Sequence, residues 1–462
     1  MIPDACRSAI RCRYPRLAVG AAVLLIPVAV LAMGQFPGDD SGVIAYKTTA
    51  PTDAIARLQK QIDAGTVKLT FDPQHGYLPS VLQALDIPPA SQGLVFSKTS
   101  LQVDHIAPWT PRAIYFNDEV YVGWVQGGPI MEVASADPKL GAVFYTLDQR
   151  PSADPQFKRR FTTCLQCHDS SSSTGGVPGF IMRSTFVDRL GYPVSTLVPQ
   201  TTDQTPLSQR WGGWYVTGTT GPLLYPGNIT APVAAHDIDD PARSLAQIKL
   251  GPNVNLTSLT GLVDTRPYLR PTSDVVALMV LAHQTYVHDL ITIAGYQTRK
   301  ALYDEQLQEI MNGSKPAGGG HLPSTTVQID GIGEQLVRAM LFVHEAPFDG
   351  PIRGNSRFAV DFMSRGPRDR QGRSLRDFDL KTRLFKYPLS YLIYSDSFNA
   401  LPDIVKEYVY RRLRQVLTGE DRNPDFDSLS AADRQAILQI LDETKPDFAA
   451  MGRVTTAMPA RP

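Results

Sequence analysis

The sequence predicts an α+β fold with a β-containing N-terminal half, a loop-rich middle segment and a mainly α-helical C-terminal half. Short runs of β-branched and aromatic residues, separated by turn residues, dominate the first part of the chain. Longer runs with the helical period dominate the last part. On this basis the 462 residues divide into regions 1–34, 35–155, 156–270 and 271–462.

Composition excludes several classes of protein. The 45 Lys and Arg residues balance 45 Asp and Glu residues, so the chain lacks the positive charge that binds nucleic acid electrostatically. Hydrophobic residues make up 43% of the chain and charged residues 19%, which excludes a disordered polymer and a polytopic membrane protein.

Region 1–34 has the pattern of an export signal. Four arginines precede the uncharged apolar run 17–33, and small residues at the end of that run favour cleavage before Gln35. The run is also close to the shortest helix that crosses a bilayer, so a retained inner-membrane anchor is the alternative. Either interpretation predicts a periplasmic or otherwise exported protein.

The next region is predicted to contain two helices and a set of strands. The helices are expected over 52–64 and 79–85, and the strands lie within 92–148. Residues 116–120 (FNDEV) predict a hairpin corner between two of these strands. The sequence 156–228 contains apolar runs but is predicted to be rich in loops.

Four helices are predicted in the C-terminal half, over 272–304, 331–345, 401–418 and 430–443. The first is expected to start at Ser273, with Asp274 in its first turn. Ser430 and Asp433 have the spacing of a capping box at the start of the last.

Residues 164–168, CLQCH, form the C-x-x-C-H motif that attaches c-type haem. Thiols at positions i and i+3 of a helical turn project to neighbouring positions, so both can reach the vinyl groups of one porphyrin. Cys164 and Cys167 are therefore predicted to hold one covalent haem c, with His168 as the proximal iron ligand. Thioether attachment takes place outside the cytoplasm, in agreement with the export signal.

Three other interpretations of the two cysteines remain open. A zinc site would add His283 and His288, but it lacks the usual ligand spacing. A thioredoxin-like dithiol requires a strand, the motif and a helix within a βαβ unit, and the flanking sequence indicates no such helix. A disulfide across four residues would be strained and would close almost no loop.

The chain resembles a group of uncharacterised exported bacterial proteins that carry one cytochrome c motif. The similar stretches are GAVFYTLDQ, FTTCLQCHDSSSSTGGVPG, RWGGWYVTGTTG, LMVLAHQTYVHDLITIAGYQTR and GRSLRDFDLKTRLFKYPLSYLIYSDSFNALP, within about 140–445. The resemblance implies haem binding and electron transfer. Relatives often carry histidines after WGGWYVTGT, whereas this chain has TGPLLY from Thr220 to Tyr225, so the resemblance does not supply a distal ligand.

Two side chains are candidates for the distal iron ligand. His283 lies in the middle of the long predicted helix, and Met182 follows Cys167 by 15 residues. An iron without a protein-derived sixth ligand is the alternative. Partners for the haem propionates are sought among basic and aromatic residues near the motif, namely Arg159, Arg160, Arg183, Arg210, Trp211, Trp214 and Tyr215.

These features predict an exported one-electron carrier that exchanges electrons with an unidentified redox partner protein. One alternative is a peroxidase-like or oxygenase-like enzyme with an open iron site. Another is a haem subunit of a membrane-associated redox complex. Segment 365–383 contains seven Arg and Lys residues, so it either steers an acidic partner or is a loop held by internal Arg–Asp pairs.

Overall fold

The computed structural model describes residues 42–232, 250–251, 253–313 and 320–457, with side chains up to position 451. The predicted signal or anchor in region 1–34 lies outside these residues.

An antiparallel sheet of seven strands forms the N-terminal half. Strands β1 to β6 follow one another across the sheet, and β9 pairs with the free edge of β1. Strands β7 and β8 form a separate antiparallel pair. The strands are β1 Gly93–Val95, β2 Arg112–Phe116, β3 Val120–Trp124, β4 Ile130–Asp137, β5 Gly141–Asp148, β6 Phe157–Arg160, β7 Ser184–Val187, β8 Pro193–Val198 and β9 Trp214–Tyr215.

Helices dominate the C-terminal half. The helices of the described part are α1 Ala54–Asp63, α2 Leu78–Ala84, α3 Thr162–His168, α4 Val275–Asn312, α5 Pro323–Met340, α6 Phe358–Met363, α7 Asp396–Asn399, α8 Asp403–Thr418, α9 Ala431–Thr444 and α10 Pro446–Ala457. The predicted α+β architecture is therefore confirmed.

Helix α4 is the central element of the core. Among the described helices, it alone is long and apolar enough to cross a membrane. However, 78% of its most apolar 18-residue segment is buried inside the protein. It packs against α5 and the sheet. A single hydrophobic core includes side chains from Ile44 to Phe448, so the predicted borders at 155 and 270 separate regions that share one core.

Most predicted elements are present with shifted ends. The hairpin corner at 116–120 is confirmed, because the Asn117 side chain accepts hydrogen bonds from the backbone of Glu119 and Val120. The long helix begins at Val275, two residues after the predicted start, and Asp274 is its N-cap. Helix α5 begins at Pro323, eight residues before the predicted start. Strand β6, with the sequence FKRR, was not predicted, because it is too basic to resemble a strand.

The two faces of the sheet have different roles. On β4, Met131 and Val133 point into the hydrophobic core. The alternate residues Glu132 and Ala134 point to the opposite face, where they line a cavity. The sheet thus supplies one wall of the candidate site.

Candidate functional site

The C-x-x-C-H motif occupies helix α3, which follows β6 directly. Cys164 and Cys167 are free thiols and both line the cavity. Burial raises the pKa of the Cys164 thiol to about 11, so this group is protonated at neutral pH. The helical placement of the two thiols agrees with the geometry expected for attachment to one porphyrin edge.

His168 is oriented by the loop that follows the motif. Its Nδ1 lies 2.9 Å from the carbonyl oxygen of Gly179, which can only accept, so Nδ1 carries the proton. No described residue hydrogen-bonds Nε2, which is therefore available as a metal ligand. Enclosure of the ring lowers the pKa of His168 to about 4, and the imidazole is neutral at neutral pH. The ring also contacts Phe144, with centroids 4.7 Å apart.

The cavity has a volume of about 550 Å³, within the range of about 300–1,000 Å³ found for small-molecule and cofactor sites. It lies between the sheet, α3, the 180–183 segment and α4, which contributes Leu281 and Thr285. Many of its lining atoms are apolar, which suits a porphyrin ring.

Small residues create room at the middle of the sheet wall. Gly123 and Ala134 line the cavity on the neighbouring strands β3 and β4. Ile114, Gly123 and Glu132 are successive cross-strand neighbours, so the missing side chain of Gly123 leaves space between two larger ones. Glycine inside a strand often marks the close approach of a ligand.

Met182 lies in the same cavity as the motif. Its side chain is 1% exposed. The backbone around it is fixed by Gln200, whose amide oxygen accepts from Met182 N at 3.2 Å and whose amide nitrogen donates to Phe180 O at 3.2 Å. A buried thioether therefore lies on a well-anchored segment of the cavity wall.

Three cationic side chains line the cavity, namely Lys98, Arg112 and Arg183. Arg112 is neutralised by Glu132, with Nη1 and Oε2 2.8 Å apart. Arg183 forms no ion pair with any described carboxylate, and its Nε is buried without a hydrogen-bond partner. Its backbone oxygen accepts from Trp214 Nε1 at 2.9 Å, which fixes its position. Its Nη2 donates to Ser173 Oγ at 3.4 Å, and the remaining donors of Arg183 are available for an anionic ligand group.

The structure does not bring His283 to the cavity. His283 is 0% exposed, and its Nδ1 and Nε2 lie 2.7 Å from Asp203 Oδ2 and 2.8 Å from Ser390 Oγ. Its ring also stacks on Phe342. Asp203, His283 and Ser390 are hydrogen-bonded in the same sequence as the Asp, His and Ser of a catalytic triad. All three side chains are buried, so a substrate could not reach Ser390. This network holds α4 against the surrounding loops.

The alternative interpretations of the motif find little support in this geometry. His288 Nε2 bonds the backbone oxygen of Asp118, and neither His283 nor His288 lines the cavity that holds the cysteines. Within the described residues, no three His, Cys, Asp or Glu side chains form a metal-binding group. The motif lies on the short helix α3, which ends at His168 and follows the antiparallel strand β6, so it does not belong to a βαβ unit.

Of the sequence-based propionate partners, Arg183 and Trp214 line the cavity and the other five do not. Arg159 bonds the carbonyls of Tyr46 and Thr49, and Arg210 those of Asp203 and Thr205. Arg112 and Lys98 were missed because they lie more than 50 residues before the motif and reach it only through the sheet. Segment Thr220–Tyr225 does not line the cavity either.

The arginines of segment 365–383 are largely paired with acidic groups. The ion pairs are Arg365–Asp86, Arg368–Asp377, Arg373–Asp369, Arg376–Asp118 and Arg383–Asp433. This arrangement favours the interpretation of a loop held by internal pairs over that of a partner-steering surface.

Comparisons with models of protein families, with curated proteins and with solved structures find no match to this chain. The resemblance to exported cytochrome c proteins therefore stays a prediction.

Proposed function

We propose that this protein carries one haem c, attached through Cys164 and Cys167 with His168 as proximal ligand, and transfers single electrons outside the cytoplasm. The observation that best supports the proposal is the placement of two free thiols and an imidazole on one helix that faces a large cavity. The donor set, the apolar walls and the available cation Arg183 all fit such a group.

When bound, the haem would supply a one-electron iron couple. The chain's own residues would determine how it is held. The Gly179 carbonyl fixes the tautomer and rotation of His168. Arg183 would pair with a propionate, and the Arg112–Glu132 pair would add a neutral polar contact on the sheet wall.

Met182, and not His283, is the distal ligand in this proposal. Met182 lines the cavity, whereas both ring nitrogens of His283 are hydrogen-bonded elsewhere. A thioether in the cavity favours an electron carrier over an enzyme with an open iron site. The electron-exchange partner is an unidentified redox protein.

Visible spectroscopy of the purified protein tests covalent attachment. We expect the wild type to give a c-type pyridine haemochrome, and Cys164→Ala with Cys167→Ala to lose the covalently bound haem. Thr162→Ala, at an exposed position of the same helix outside the motif and the cavity lining, is the matched control and should retain it. A haem-free wild type that contains zinc would overturn the proposal.

Carbon monoxide tests the distal ligand. The reduced wild type should not bind it, whereas Met182→Leu, which costs under about 1.5 kcal/mol of packing, should open the iron and bind it readily. Met279→Leu is the control, since Met279 is equally buried but does not line the cavity. Binding of carbon monoxide by the wild type would favour the enzyme hypothesis instead.

A further inference from the structure

Two neighbouring loops expose large apolar side chains beside the cavity. The loops are 98–110, between β1 and β2, and 188–192, between β7 and β8, and we call their combined outer face the loop surface. The exposed side chains are Leu101 (42%), Val103 (38%), Trp109 (58%), Leu190 (42%) and Tyr192 (49%). Since Leu101 and Val103 also line the cavity, the loop surface borders it. Clustered exposed apolar groups of this kind mark interaction sites.

Contacts between the loops make this surface preformed. The backbone of Lys98 donates to Gly191 O at 2.9 Å. The Lys98 Nζ donates to Val103 O at 2.7 Å and lies 5.0 Å from the centre of the Tyr192 ring. A β-carbon on Gly191 would lie 2.6 Å from the backbone oxygen of Phe96, so only glycine allows this close approach of the two loops.

Two basic residues lie on the loop surface, Lys98 and Arg189, and Asp104 is its exposed acidic residue. Asp188 is buried, and its carboxylate accepts from the backbone of Leu190 and Tyr192 within its own loop. The surface thus combines exposed Trp, Tyr and aliphatic side chains with two basic residues.

We infer that the loop surface docks on a lipid bilayer with anionic headgroups. Trp and Tyr favour the membrane interface because one part of each side chain is apolar and another is polar. Lys98 and Arg189 complement anionic headgroups. Side chains from two separate loops can enter a deformable lipid surface together. The inference does not depend on haem, because it involves only these loops.

Site-specific photocrosslinking tests the inference on the full chain. Trp109→p-benzoylphenylalanine is irradiated with vesicles of phosphatidylethanolamine and phosphatidylglycerol, and adducts are identified by mass spectrometry. We expect a phospholipid adduct at position 109. The same replacement at Val327, which is 72% exposed on α5, is the control for an exposed apolar site and should give none. This comparison holds whether or not the N-terminal segment itself anchors the protein.

A second variant tests the contribution of the surface. Leu190→Ser with Tyr192→Ser should lower the lipid adduct yield at position 109 about tenfold, because two apolar contacts with lipid are lost. Both side chains are exposed, so the fold should be retained. Adducts to protein at position 109 would make the loop surface a protein interface and overturn the inference. Equal lipid yields at positions 109 and 327 would also overturn it.

Discussion

The absence of a side chain at Gly123 gives the cavity room for a large group. A β-carbon at this position would lie 3.4 Å from Ile114 Cδ1 and 3.5 Å from Arg112 Cδ, which are ordinary contacts. A longer side chain would extend into the cavity that Gly123 lines. We therefore expect Gly123→Leu to lower covalent haem content at least about fivefold while the protein remains folded, since cavities do not accept extra volume without strain.

Gly123→Ala is the matched control for this prediction, because alanine introduces only the tolerated β-carbon. Haem content from the pyridine haemochrome and folding from circular dichroism would be measured on both variants. Normal haem content in Gly123→Leu would place the cofactor elsewhere.

Asp289 supports the loop that orients His168. Its Oδ1 accepts from Phe180 N at 2.7 Å, next to the Gly179 carbonyl that holds the imidazole. Burial raises the pKa of Asp289 well above its usual range. Asp289→Ala should leave Phe180 N unsatisfied, cost about 1–3 kcal/mol and weaken the orientation of His168.

The expected signature is a mixture of high-spin and low-spin spectra together with a lower midpoint of thermal unfolding. Asp289→Asn keeps the acceptor for Phe180 N and should restore the wild-type spectrum. A spectrum unaffected in Asp289→Ala, at reduced stability, would limit Asp289 to a structural role.

At the scale of elements, Asp274 links the start of helix α4 to a distant loop. Its Oδ1 caps the helix by accepting from Val276 N and Ala277 N. Its Oδ2 accepts from Asn355 N, Ser356 N and Ser356 Oγ. Loss of the cap costs about 1 kcal/mol, and unsatisfied buried donors cost more. We expect Asp274→Ala to destabilise the protein by about 3 kcal/mol in urea unfolding.

Asp274→Asn separates the two roles of this side chain. Asparagine is an equally good N-cap but offers one acceptor oxygen in place of two. We therefore expect Asp274→Asn to lower the free energy of unfolding by about half as much as Asp274→Ala. Equal stabilities of Asp274→Asn and Asp274→Ala would show that the link to the 355–356 loop dominates.

Elements with strong periodicity could be predicted from the sequence, whereas elements that depend on tertiary contacts could not. Alternation and turn residues predicted β1 to β5, and the capping box at Ser430 and Asp433 is present as predicted. Strand β6 was not predicted, because its basic side chains lie in solvent or form ion pairs across the sheet, as Lys158 does with Asp148. The start of α5 at Pro323 follows from proline at the first helical turn, which a hydrophobic pattern alone does not register.

At the scale of the whole molecule, the motif was predictable but its surroundings were not. Cys164, Cys167 and His168 are adjacent in sequence, so their spacing alone predicts a common ligand. Arg112 and Glu132 reach the same cavity because the sheet brings distant strands together. His283 was an attractive ligand candidate in sequence, and only the fold reveals Asp203 and Ser390 as its partners.

At the scale of the whole molecule, the contribution of Glu345 to stability should fall as the pH rises, because the partly buried position of its carboxyl favours the protonated form. Burial, followed by the nearby Asp203, raises the pKa of Glu345 to about 8 despite Arg210 and Arg383. The folded state therefore holds this proton more tightly than the unfolded chain, in which glutamate titrates near its ordinary pKa of 4.5. Between about pH 4.5 and pH 8 this group binds more protons in the native state, so its contribution to the free energy of unfolding decreases with rising pH.

Glu345→Gln should remove this pH dependence. The amide oxygen can still accept from Leu384 N, as the carboxylate does at 2.9 Å, without a buried charge. In urea unfolding at pH 8 the variant should be more stable than the wild type by on the order of 2 kcal/mol, and the two should converge near pH 4.5. Glu407→Gln, at an exposed position of α8, should follow the wild type throughout. A Glu345→Gln protein that is less stable at pH 8 would mean that the carboxylate is ionised and stabilised by Arg210 and Arg383 in the native state.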